Sequence, residues 1–160
     1  MHIFKINTYL NKKRIKRVTS IVNITLKSAV NSEPKKVFNG FDSKLFTYLL
    51  PPGAELIQFG GAVKGDVVHL KLPLAGEWIS LITENGQTED GYYFVDEGEK
   101  LPFPLKEWRH KHIVEAHNGG TRIVDDMTFS TGNYILDLML FPILYVSFFP
   151  RTWQYKKYFK

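Results

Sequence analysis

With 160 residues, 44% of them apolar and 14% aromatic, the chain has material for one domain and needs no covalent staple. Cysteine is absent, which excludes disulfides, thiol catalysis and thiolate metal sites. The net charge of +5 is concentrated at the two ends, in Lys12, Lys13, Arg14, Lys16 and Arg17 and in Arg151, Lys156, Lys157 and Lys160. No charged segment followed by an apolar one opens the chain, so the expectation is a cytoplasmic protein without a signal peptide.

In chain order, residues 1–17 read as an arm or accessory strand, weakly alternating at Phe4, Ile6, Thr8 and Leu10. A single domain is expected over 18–160. From Val18 to Ser28 a period-2 pattern puts Val22, Ile24 and Leu26 on one face of a strand. Ser32 offers an N-cap and Pro34 a first turn, and Val37, Phe38, Phe41, Leu45 and Leu49 follow at helical spacing. Gly40 splits this run into two short helices, and Pro51-Pro52-Gly53 ends it. Strands are expected at 54–60, 66–73, 76–84, 91–97, 106–117 and 120–130, with turns at Gly60-Gly61, Gly65-Asp66, Ala75-Gly76 and Glu84-Asn85-Gly86. Short connections make this an antiparallel meander. Tyr134 to Phe149 is almost continuously apolar and predicts a long C-terminal helix entered from Thr131-Gly132-Asn133. Asp137, Pro142 and Ser147 argue for a buried helix over a membrane span, with one face free for a dimer or a membrane surface.

Asn118-Gly119 is a strong signal for a two-residue hairpin. It places Glu115 opposite Arg122 and Lys111 opposite Asp126 on one face. The other face then carries Trp108 opposite Phe129, His110 opposite Met127, His112 opposite Asp125 and Val114 opposite Ile123. A slip of one residue would mix the charged and apolar faces, which favours this register. His112 and Asp125 become neighbours on an otherwise apolar surface. Four readings stand: a satisfied buried pair, a polar anchor for a ligand, a general acid/base pair, or part of a zinc site with His110. The zinc reading lacks a convincing third ligand, so no metal and no cofactor is expected. The motifs for serine hydrolases, zincins, phosphate-binding loops and dinucleotide folds are missing, as is an RNA-binding aromatic–basic stretch.

The stretches "GFDSKLFTYLLPPG", "GAVKGDVVHLKL", "EWISLIT", "YYFVDEGEKLPFPLKEWRHKH" and "GGTRIVDDMTF" together resemble the ligand-binding SRPBCC families. These belong to the helix-grip superfamily with START lipid-transfer domains, aromatase/cyclases and plant pollen-allergen proteins. The pattern falls at Phe94, Asp96, Gly98, Pro102, Phe103, Trp108, His110, His112, Gly119, Gly120, Thr121 and Asp125, and Leu101 stands where a glycine is frequent. The resemblance implies an α+β helix-grip fold: a curved antiparallel sheet around a long C-terminal helix, enclosing a cavity for a small hydrophobic or amphipathic ligand. Trp78, Tyr93, Trp108, Met127 and Phe129 are the expected walls, with His110, His112 and Asp125 as polar anchors. The alternative is a cyclase- or dehydratase-like enzyme using His112 and Asp125. Beyond the ligand, the expected partners are a membrane surface in weak contact but no nucleic acid, in a monomer or homodimer.

Overall fold

The computed structural model describes residues 21–160; the expected arm at 1–17 and the first residues of the expected first strand lie outside them. The chain runs through β1 (Val22–Val30), α1 (Pro34–Asn39), α2 (Ser43–Leu49), β2 (Glu55–Phe59), β3 (Val67–Leu72), β4 (Gly76–Gln87), β5 (Gly91–Lys100), β6 (Glu107–His117), β7 (Gly120–Ser130), α3 (Tyr134–Phe148) and α4 (Arg151–Tyr158). All pairings are antiparallel, in the order β1-β7-β6-β5-β4-β3-β2. The fold is α+β, a curved seven-stranded sheet gripping the C-terminal helix.

Local chemistry explains most boundaries. Asn118 (φ 50°) and Gly119 (φ 78°) turn the β6–β7 hairpin in the conformation that an Asn-Gly pair favours. Every facing pair expected from that turn is present, from Trp108–Phe129 to Glu115–Arg122. Asp42 caps α2 by accepting from the backbone of Lys44 and Leu45, and Asn133 caps α3 through Ile135 and Leu136. Ser32 is not the N-cap of α1; that position is Glu33, which makes no side-chain cap. The Ser32 hydroxyl instead donates to the carbonyl of Phe159, tying the residue after α4 to the β1–α1 connection.

The expected turn at Glu84-Asn85-Gly86 is strand. β4 passes a bulge between Ile82 and Glu84 and continues to Gln87, with Asn85 and Gly86 paired to Phe94 and Tyr93. The reversal comes at 88–90, closed by the Thr88 amide donating to the Gly91 carbonyl. Gly86 is needed because the Tyr93 ring lies against it: a Cβ there would come within 2.9 Å of the ring.

Two apolar clusters fill the concave side. One joins Val37, Phe41 and Leu45 to Phe94, Val114, Ile123, Tyr155 and Phe159. The other joins Val22, Ile24 and Leu26 to Trp78, Trp108, Met127, Phe129 and Leu144. α3 and α4 follow one another through Phe149 and Pro150, both with helical dihedrals, so Tyr134–Tyr158 forms a 25-residue rod. By length and composition this rod could cross a membrane, and only 17% of its most apolar window is buried. The expectation of a buried helix therefore holds for one face: the sheet covers Asp137, Leu144, Arg151 and Tyr155, while the opposite face is open among the described residues.

Candidate functional site

Between the two apolar clusters the inward positions of three adjacent strands turn polar. On β6, Val114 and Trp108 flank His112 and His110; on β7, Ile123 and Met127 flank Asp125; on β5, Asp96 follows Phe94. Strand alternation sends all four side chains inward, and β5–β6 pairing sets Asp96 opposite His110 and Phe94 opposite His112. Each of the four is at most 6% exposed, so each must find partners within the protein.

They find them diagonally. His110 Nε2 lies 2.9 Å from Asp125 Oδ1, and His112 Nε2 lies 3.1 Å from Asp96 Oδ2. The facing pair His112–Asp125 is looser, at 3.4 Å from Nδ1, and His112 Nδ1 has no hydrogen-bond partner. The expected His112–Asp125 neighbours are present, and the closer bonds run diagonally, from His110 to Asp125 and from His112 to Asp96. The register sets Asp96 opposite His110 and Asp125 opposite His112, so the diagonal bonds are made by the side chains reaching across to the next inward position. The two imidazoles stack with centroids 3.7 Å apart, and Phe94 stacks on His112 at 4.2 Å. The Trp108 indole donates to Asp96 at 3.1 Å. From the helix side, the Tyr155 hydroxyl donates to Asp125 at 3.3 Å, and Arg151 Nη1 approaches the same oxygen at 3.9 Å. The Arg151 guanidinium also lies over the Phe148 ring, 4.4 Å from its centroid.

The electrostatics sort the two histidines. Burial, reinforced by the charge of His112, pushes His110 down to about 4, against the opposing pull of the aspartates. Burial also works against charge on His112, but its contacts with Asp125 and Asp96 outweigh that and raise its pKa. Burial alone would raise the two carboxyls. Bonds from both histidines and the charge of Arg151 hold Asp125 far below the usual carboxylate range, and His112, His110 and Trp108 lower Asp96. The cluster thus sets two carboxylates with lowered pKa values beside one histidine shifted down, one shifted up and the Arg151 guanidinium.

A pocket of about 140 Å³ opens on this cluster. Its apolar walls include Phe46, Leu49, Val68, Trp78, Leu144 and Phe148, and its polar end is formed by Asp96, His110, His112 and Arg151. Pro51 and Ser147 are its exposed lining residues and mark the opening between the end of α2 and α3.

Of the residues singled out from sequence, Trp78, Trp108, His110 and His112 line this pocket. Asp125 lies behind the histidines, bonded to them. Met127 and Phe129 are buried in packed core and contribute no wall. Tyr93 is a correction: it faces away, donating its hydroxyl to the exposed Glu84 and lying under the Lys111 ammonium. It precedes Phe94, so alternation sends it to the outer face. Lys111 therefore does not bridge to Asp126, which instead accepts from Asn23 and Thr25.

Asp96, Arg151 and Tyr155 were not among those site residues. Asp96 had a signal, the inward parity it shares with Phe94. Its depth relative to His112 depends on the β5–β6 register, which the proline-containing connection at 101–106 does not set. Arg151 and Tyr155 depend on how the helix is rotated against the sheet. Asp96 also supplies the third ligand that the zinc reading lacked: donor atoms of Asp96, His110 and His112 lie within 4.8 Å of one another. His112 Nε2 is already bonded to Asp96 and His110 Nε2 to Asp125, so a metal ion taking these nitrogens would have to break those bonds.

No protein-family model and no curated protein sequence matches the chain. Solved structures do. Norcoclaurine synthase from Thalictrum flavum, in complex with dopamine and hydroxybenzaldehyde, superposes with a TM-score of 0.65 at 12% identity, over 94% of each chain. Ara h 8.0201 gives 0.53 at 17% identity over 86% of this chain and 97% of its own. The Zhui aromatase/cyclase from Streptomyces sp. R1128 gives 0.50 at 15% identity over 68% and 67%. These are SRPBCC, Bet v 1-like structures, and the chain shares their helix-grip fold.

Proposed function

We propose that the protein binds a small hydrophobic or amphipathic molecule in the pocket between the sheet and the C-terminal helix. The observation that carries this is an apolar pocket ending on a buried polar ladder that still has polar atoms without a hydrogen-bond partner, His112 Nδ1 and Arg151 Nε. Apolar walls favour the ligand's body, and a few convergent polar groups orient its head. A volume of about 140 Å³ suits roughly one aromatic ring or a short chain segment. An aromatic ligand is therefore favoured over a whole lipid. Native mass spectrometry of gently purified protein is expected to show a co-purifying small molecule that His112→Ala and Arg151→Ala release. Repeated emptiness, together with no thermal shift against a panel of aromatic and short-chain amphipathic compounds, overturns the reading.

A second reading is a cyclase- or dehydratase-like enzyme. It is favoured by two adjacent histidines that both line the pocket and whose pKa values move in opposite directions, His110 down and His112 up. His112 would give a proton and neutral His110 would take one. The fold is shared by a synthase and an aromatase/cyclase, but fold alone decides no reaction. Under this reading His110→Gln abolishes turnover of a bound compound while its affinity stays within about threefold. Equal loss of both returns the histidines to an anchoring role.

A further inference from the structure

We propose that the outer face of the C-terminal helix docks on an anionic lipid surface, with the helix lying in the plane of the interface. Ile135, Met139, Ile143, Val146 and Trp153 are 67%, 64%, 61%, 68% and 51% exposed. Their spacing of three, four and seven residues aligns them in one stripe along α3 and α4. Scattered exposed apolar side chains are ordinary; a continuous stripe along a whole helix marks a surface that meets something.

The occupant follows from what continues the stripe. Beyond Trp153, helical spacing puts Lys156 and Lys157 beside the stripe, and Lys160 follows past the end of α4, all three exposed. A stripe of exposed apolar side chains that ends with a tryptophan and lysines suits a helix lying in the headgroup region, where the apolar side chains and the indole sink toward the acyl boundary and the ammonium groups meet anionic headgroups. A second copy of the chain fits less well. Asp137 is the sole carboxylate in 134–160 and is fully buried, so this face offers the lysines of another copy no acidic complement. A spanning arrangement would require both faces of the rod to meet lipid, whereas Asp137, Leu144, Arg151 and Tyr155 already bind it to the sheet. Ser147 at the pocket opening lies one residue from Val146, so docking brings that opening to the lipid. The inference stands whether or not the pocket holds a ligand.

The test is sedimentation of the full chain with phosphatidylcholine vesicles and with equimolar phosphatidylcholine–phosphatidylglycerol vesicles. At low salt, binding is expected to be at least about tenfold stronger to the anionic vesicles and to weaken as salt is added. The Trp153 emission should shift to the blue on binding, an effect absent in Trp153→Leu. Ile143→Glu with Val146→Glu should abolish binding, and Lys156→Glu with Lys157→Glu should remove the preference for anionic lipid. Met139→Gln, a milder change at an exposed position, should weaken binding without altering the thermal midpoint. Failure to bind anionic vesicles at low salt overturns the proposal. So does binding that survives the Ile143→Glu, Val146→Glu variant but vanishes on removal of residues 1–17, or a dimer in sedimentation velocity that this variant dissociates.

Discussion

Asp125 receives Nε2 of His110 and the Tyr155 hydroxyl on one oxygen, with His112 and Arg151 close by. Asp125→Ala removes the acceptor of His110 Nε2 and of the Tyr155 hydroxyl and leaves the buried Arg151 guanidinium without its near carboxylate. The expected loss is about 3–5 kcal/mol of unfolding free energy, read from the denaturant midpoint. The histidines predict opposite limbs of a pH profile. His110 stays neutral in the folded protein down to about 4, whereas the unfolded chain takes up that proton near the ordinary histidine value. The unfolded state thus binds more protons over that interval, and stability falls as pH drops through it. His112, whose pKa is raised, contributes stability that is present at low pH and lost as pH rises through its folded value. Thermal midpoints should therefore peak near neutrality, and His110→Gln should flatten the decline on the acid side. At this scale the sequence was half legible. Hairpin register fixes which residues face which, so His112 opposite Asp125 could be read from Asn118-Gly119. It does not fix rotamers, and the diagonal bonding depends on the third strand.

Elements were more legible than their side-chain partners, because each has its own local determinant. Asn118-Gly119 fixes a turn, Pro51-Pro52-Gly53 a stop, and the alternation of Val22, Ile24 and Leu26 a face. The misread stretch, Asn85-Gly86, has the dipeptide of a turn but is held in strand by pairing with Phe94 and Tyr93. There, cross-strand packing overrides a local preference. Gly91 opens β5 where the backbone of β6 passes close: a Cβ would stand 1.9 Å from the Val114 carbonyl oxygen. Gly91→Ala is expected to shift strand against strand and cost roughly 1–3 kcal/mol. Because the same strands position Asp96 and His112, this variant should also weaken ligand binding, measurable as a smaller thermal shift with any compound that the native protein retains.

For the whole molecule, the order of elements was enough to foresee a sheet closed by the final helix. The rotation of that helix was beyond reach, since Tyr134–Phe149 is apolar almost all round, with Asp137 its one charged residue, and has no polar face to aim. The pocket exists because α3 and α4, held at the β1–β7 end of the sheet, overhang the inner faces of β3 to β6 while side chains fill only part of the space beneath. Val68, 4% exposed, lines that space. Val68→Phe should occupy much of it, leave the thermal midpoint within a few degrees and abolish ligand retention in native mass spectrometry. If retention persists, the guest sits elsewhere. The indole of Trp108 is tethered to Asp96, packed edge-on to Trp78 at 4.8 Å and stacked with Phe148 at 5.5 Å, all three rings lining the pocket. The molecule therefore carries a built-in optical gauge. A guest entering between these rings must alter the emission of Trp78 and Trp108, and titration in a Trp153→Leu background turns that change into an occupancy curve without any added dye.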